Sequence, residues 1–141
     1  MSYLFRDQSW LQMQEHIDTQ SLVILPVGTT EEHGPHLPVD TDARIAEAYG
    51  HGLAEALRSE IPVLLMDTIR YGYSMKVMRQ WPGTVIVRSR VFMDMVFDIC
   101  RSTLDMGFDK LVILDCHGHH GGALNVVSRE LCDATDKAVA I

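Results

Sequence analysis

"SLVILPVGTTEEHGPHLPVDTDAR", residues 21–44, decides how the rest of the chain is read. It opens with a continuous apolar run, 21–27, stopped at once by Gly28 and Thr29. Short apolar runs without alternation are buried on both faces, as strands of a parallel sheet are. The remainder crowds Glu31, Glu32, His33, His36, Asp40 and Asp42 among prolines and a glycine. A buried strand therefore delivers a cluster of ionisable side chains to its carboxyl end.

Outward from this stretch, strand and helix patterns alternate. "DARIAEAYGHGLAEALRS" (42–59) spaces its apolar residues as a helix does, with Asp42 placed to cap it. "IPVLLMD" (61–67) predicts a second strand, with Pro62 at its start where a missing N–H is tolerated. An irregular stretch, 68–83, leads to "TVIVR" (84–88), which predicts a third strand. "SRVFMDMVFDICRSTLDMG" (89–107) is a strongly amphipathic helix closing at Gly107. "DKLVILD" (109–115) reads as a strand, "GGALNVVSRELCDAT" (121–135) as a helix, and "KAVAI" (137–141) as the first residues of a further strand. This order predicts an α/β fold, with helices layered around a mainly parallel sheet. Ligands of such sheets bind outside the carboxyl ends of the strands. The loops that follow 21–27 and 109–115 are thus expected to line one site.

Composition narrows the function classes. The 141 residues suit one domain with its own core. A net charge of −7 argues against a nucleic-acid surface, which needs clustered Lys and Arg. No signal-peptide pattern and no apolar run of about 18 residues is present, so neither secretion nor a membrane partner is expected. Cys100, Cys116 and Cys132 are odd in number and far apart, which suits reduced thiols in the cytoplasm. Cys100 and Cys132 are expected in the core.

The second polar loop reads "DCHGHHGG" (115–122). With the first loop it holds His33, His36, His117, His119 and His120, five of the seven histidines. Imidazole and carboxylate together are the donors preferred by zinc, manganese and related divalent ions. Glu31 and His33 are two residues apart, so in extended backbone they leave the same face, and His117 and His119 share that spacing. Asp42 could close the coordination or bridge two ions. A His-rich loop beside glycines can also be a solvated turn, and Asp42 can be no more than a helix cap. Glu32 is expected to point away from the donors, and His36, beside Pro35, to support a ligand rather than be one. His16 and His51, on predicted helices, read as surface residues without partners. Anion binding at the helix start after "HGHHGG" stays open, although no GxxxxGK[ST] or GxGxxG pattern supports it.

These residues resemble a known family. "LPVGTTEEHGPHLPVDTD" is similar to the signature of the creatininase family of metal-dependent amidohydrolases, whose usual form is PxGSxEQHGPHLPxxTD. "YGYS" (71–74) and "WPGT" (81–84) resemble its YGxS and FPGT segments, and "LVILDCHGHHGG" stands where the family has LxxxNGHGGN or NGHYEN. The resemblance covers nearly the whole chain and implies a layered α/β sheet of which the N-terminal part is present, truncated at its C-terminal end. It further implies two divalent ions, zinc or manganese, with iron possible. Glu31 and His33 would each ligate one ion, Asp42 would bridge them, and His117 and His119 would complete the set. An alternative alignment places His119 at the histidine of NGH.

The implied reaction is hydrolysis of a C–N bond in a small amide, cyclic amide or formamide, by water activated on the ions. The general acid would come from beyond Ile141. Hydrolysis of a cyclic sugar-derived ketone, or a non-catalytic metal-binding scaffold, are the competing expectations. The chain departs from the family pattern at Glu32, where Gln is usual, and at "DC" in place of "NG" (115–116). "SMKVMRQ" (74–80) also lacks the acidic-histidine pair found in many members. A homo-oligomer, often a hexamer in this family, is the expected assembly, with a small molecule as substrate.

Overall fold

The apolar runs at 21–27, 61–67, 109–115 and 137–141 supply strands, and the four strands among the described residues are parallel. The sheet order is β2-β1-β3-β4, with β1 at Leu22–Val27, β2 at Val63–Leu65, β3 at Lys110–Asp115 and β4 at Ala138–Ala140. Among the described residues four α-helices surround it: α1 Trp10–Asp18, α2 Thr41–Leu57, α3 Ser89–Asp105 and α4 Gly121–Thr135. The computed structural model describes residues 2–141.

The two central strands, β1 and β3, pair from Val23↔Leu111 to Val27↔Asp115. They therefore end side by side. Their side chains alternate between two cores, as the period of a strand requires. Val23, Leu25, Val27, Leu111 and Ile113 face Phe92, Val96 and Leu104 of α3 and Leu124 and Leu131 of α4, with Met13 and Ile17 of α1 packed alongside. On the opposite face Ile24 meets Val63, Leu65 and Ala54 of α2. The result is the layered α/β/α arrangement expected from the alternation. Full burial of each Leu, Ile or Phe contributes about 2 kcal/mol, so the two faces of β1 carry much of the stability.

Four expectations are corrected. Residues 84–88 join no strand: Val85 N–H donates to Thr30 O at 2.9 Å and Val87 N–H to Gly72 O at 3.0 Å. Both acceptors lie in loops, so β-branched composition here serves loop packing rather than a ladder. The second strand is shorter than 61–67, although Leu22 N–H to Pro62 O and Met66 N–H to Ile24 O, each 2.9 Å, continue the register. Asp42 is not the cap of α2; the cap position is Asp40, whose side chain makes no capping bond. Finally, His16 and His51 have partners: His16 Nδ1 lies 2.8 Å from Ser21 Oγ, and His51 Nδ1 2.9 Å from Tyr3 Oη.

Helix α1 starts at a capping box in which Ser9 and Gln12 each bond the other's backbone N–H. That S-x-x-Q signature is readable in sequence, yet apolar spacing alone passes over it. No helix among the described residues is long and apolar enough to cross a membrane.

Candidate functional site

The first polar loop leaves β1 through Gly28. A β-carbon there would lie 2.6 Å from both N and Cα of Ala43. Only glycine lets the strand end approach the first turn of α2 this closely. The approach carries Asp42 against the donor segment, and Glu31 N–H donating to Val39 O at 2.9 Å pins the returning loop.

Glu31 and Asp42 are both buried, at 6% and 7% exposure. Asp42 offers one oxygen to each loop: Oδ1 accepts from His33 Nε2 at 3.0 Å, and Oδ2 from His117 Nδ1 at 2.7 Å. Glu31 Oε1 stands 3.6 Å from the same His117 nitrogen. His33 Nδ1 donates to the Glu31 carbonyl at 3.0 Å, which fixes the ring and turns Nε2 into the site. Two groups of donor atoms result, each within 4.8 Å of one another: Glu31, His33 and Asp42, and Glu31, His117 and His119. All five sequence candidates are brought together, and Glu31 belongs to both groups. Glu32 lies outside them, its Oε2 accepting from Gly34 N–H at 2.9 Å. His36 is exposed and apart.

The second loop is not extended, which corrects the two-residue spacing argument for His117 and His119. His120 N–H donates to His117 O at 3.2 Å, closing a turn over 117–120. The turn still returns His119 towards Glu31, with the His117 and His119 rings 4.8 Å apart and edge to face. His120 also packs edge to face on His117, with ring centroids 4.6 Å apart, but it belongs to neither donor group. It is fully buried, its ring stacked on Phe92 at 4.2 Å and its Nδ1 donating to Asp115 Oδ1 at 2.9 Å. The same Asp115 oxygen accepts His117 N–H at 3.2 Å. Asp115 thus organises both ends of the turn, a role the sequence reading missed; its place as the last residue of β3 was the available signal.

The electrostatics of the cluster ask for positive charge. The only ion-pair partners of Glu31 and Asp42 among the described residues are histidines. Buried carboxylates need such a partner or a cation. Burial pushes the His33 imidazole down, but its bonds to the Glu31 carbonyl and to Asp42 outweigh this and hold it above its ordinary value. Burial wins at His117, which lies below its ordinary value despite Glu31 and Asp42, with His120 adding to the fall. A histidine that resists protonation keeps a lone pair for a metal. Glu31 Oε2, His117 Nε2 and His119 Nδ1 are all buried without a hydrogen-bond partner. Orphaned buried donors and acceptors of this kind are rare, and a divalent cation would satisfy them together.

Residues 6–140 match the profile of the creatininase family, described as creatinine amidohydrolase. The chain belongs to the creatininase family. A family relative, the mycofactocin precursor peptide peptidase of Mycobacterium ulcerans, is 33% identical over 114 residues, which are 77% of this chain and 45% of that protein. The 3-dehydro-scyllo-inosose hydrolase of Thermotoga maritima is 30% identical over 114 residues, 81% of this chain and 35% of that protein. A solved structure described as creatininase Mn superposes with a TM-score of 0.85 at 24% identity, over 100% of this chain and 58% of that one. The chain therefore spans 35% to 45% of the length of these two curated creatininase-family relatives.

Proposed function

We propose that this creatininase-family chain carries the metal site of a hydrolase that cleaves a C–N bond in a small amide, cyclic amide or formamide. The observation that carries the reading is Glu31, whose carboxylate belongs to both donor groups. Glu31, His33 and Asp42 would hold one divalent ion, and Glu31, His117 and His119 a second. Asp42, with one oxygen towards His33 and the other towards His117, would bridge them. The donor set suits zinc or manganese, and divalent iron would be compatible with the same imidazole and carboxylate donors. When bound, such ions supply a Lewis acid for a carbonyl oxygen and lower the pKa of a water to about 7.

The chain's own residues supply preparation. The Glu31 carbonyl orients His33, Asp42 orients His117, and Asp115 fixes the turn that carries His117 and His119. These bonds hold the donors in register before an ion arrives, so little side-chain entropy is left to lose on binding.

The Thermotoga relative supports a second reading on the same residues, hydrolysis of a cyclic sugar-derived ketone. One experiment separates the two. The protein is loaded with zinc or manganese and incubated with an N-formyl amine, a lactam, a short peptide and a cyclic polyhydroxy ketone. Release of amine from an amide substrate is the expected result. Ring opening of the ketone alone would transfer the assignment to the second reading, and failure to take up metal would defeat both. We also propose self-association through the outer faces of α3 and α4, where Met93, Phe97 and Val126 line a groove edged by Arg90 and Asp94. Sedimentation of a monomer would count against it.

A further inference from the structure

Beside the donor segment lies a cavity of about 310 Å³ lined by Glu32, Gly34, Pro35, Trp81 and Pro82. Its only charge is the Glu32 carboxylate, and its only aromatic face is the indole of Trp81. No Lys, Arg or His pairs with Glu32 among the described residues, and the one bond to its side chain comes from Gly34 N–H at 2.9 Å. A carboxylate without a basic partner that shares a cavity with an indole and two prolines suits a positively charged amine. The indole face attracts cations more strongly than other aromatic rings, and the prolines offer apolar contact to an alkyl chain. Two departures from the family pattern meet here: Glu32 stands where Gln is usual, and Trp81 where the FPGT segment has Phe. The first adds a negative charge and the second deepens the negative aromatic face. Both changes act in the same direction on the same cavity.

We propose that this cavity is a subsite for an alkylammonium group, carried by the substrate of the neighbouring donor cluster. The cation binding stands on the cavity alone; its assignment to a substrate rests on the hydrolase reading. Glu32 separates Glu31 from His33 in the chain, so the cavity is built on the same segment that carries two of the donors.

The chain has two tryptophans, and their indole N–H resonances allow a test without metal or turnover. The protein is titrated with n-butylammonium chloride and, in parallel, with 1-butanol, with Trp10→Phe used to assign the signals. Trp10 is 78% exposed on α1 and serves as the internal control. The Trp81 signal should shift saturably with butylammonium and not with butanol, while Trp10 stays in place. Glu32→Gln, isosteric and near the surface, should weaken binding by about fivefold, as expected for a partly exposed charge pair with an aromatic contribution. Equal response to butanol, unchanged affinity in Glu32→Gln, or an unmoved Trp81 signal would each overturn the proposal. Any of these would leave the metal reading intact, and loss of metal binding would leave this titration unchanged.

Discussion

The backbone of Gly72 touches the ring of His120: a β-carbon built on Gly72 would lie 2.3 Å from Nε2 and 2.5 Å from Cε1. Gly72 N–H also donates to Thr29 Oγ1 at 3.2 Å, and its carbonyl accepts from Val87 N–H. One residue without a side chain thus joins the 71–74 segment to both metal-donor loops. Gly72→Ala must displace a fully buried ring or the backbone itself, at a cost of about 1–3 kcal/mol. Urea unfolding should show that loss, and the penalty should shrink when His120→Ala is already present. Equal penalties in both backgrounds would mean the clash is relieved elsewhere.

His119 and His120 should separate by what they damage. His119→Ala removes a donor with Glu31 and His117 within reach, so metal affinity should fall by more than about 100-fold, beyond the range typical of supporting residues. His120→Ala empties a site between Phe92 and Asp115 and should cost about 3 kcal/mol of stability. Isothermal titration with zinc and thermal melts read the two effects independently. If His120→Ala proves the worse for metal and the milder for stability, the assignment is reversed.

Asp42 is predicted to matter to both ions. Elemental analysis of the purified protein should give about two equivalents, following the two donor groups. Asp42→Asn should lose most of both, since His33 and His117 each lose a charged partner. Two retained equivalents would remove Asp42 as a bridge.

Thiol chemistry offers a check on the core. Cys100 is fully buried, and burial pushes its thiol up to about 12. Iodoacetamide at pH 8 should leave Cys100 unmodified in the folded protein and reach it only on unfolding. The folded state keeps this proton, whereas an unfolded thiol loses it near 9.0. Stability from this group is therefore intact below pH 9 and declines as pH climbs towards 12. Cys100→Ala should remove that part of the alkaline slope. A Cys100 alkylated as fast as a free thiol would contradict the packing of α3.

The sheet was legible because β1 and β3 are uninterrupted apolar runs, and burial on both faces leaves such segments few other conformations. The donor residues were legible for the same reason: they are polar groups that immediately follow. Residues 84–88 misled because Val85, Ile86 and Val87 have strand composition, while pairing depends on a neighbour the local sequence does not name. The 117–120 turn was illegible because it is held by the Asp115 side chain, which bonds His117 N–H and the His120 ring, and a period count does not register such bonds. Asp115 and Gly72 act through partners distant in sequence, so neither stood out from its own surroundings.

Asp42 and His117 are 75 residues apart in the chain, yet bonded at 2.7 Å. Contacts of such separation form late, because loop closure must be complete before they contribute. The Glu31, His33 and Asp42 group can gather as soon as the start of α2 docks on β1, whereas His117 and His119 must wait for β3 to pair with β1. During synthesis the first group emerges long before the second. The full donor set is therefore complete only once the central strands have found each other, so its assembly reports on the pairing of β1 with β3.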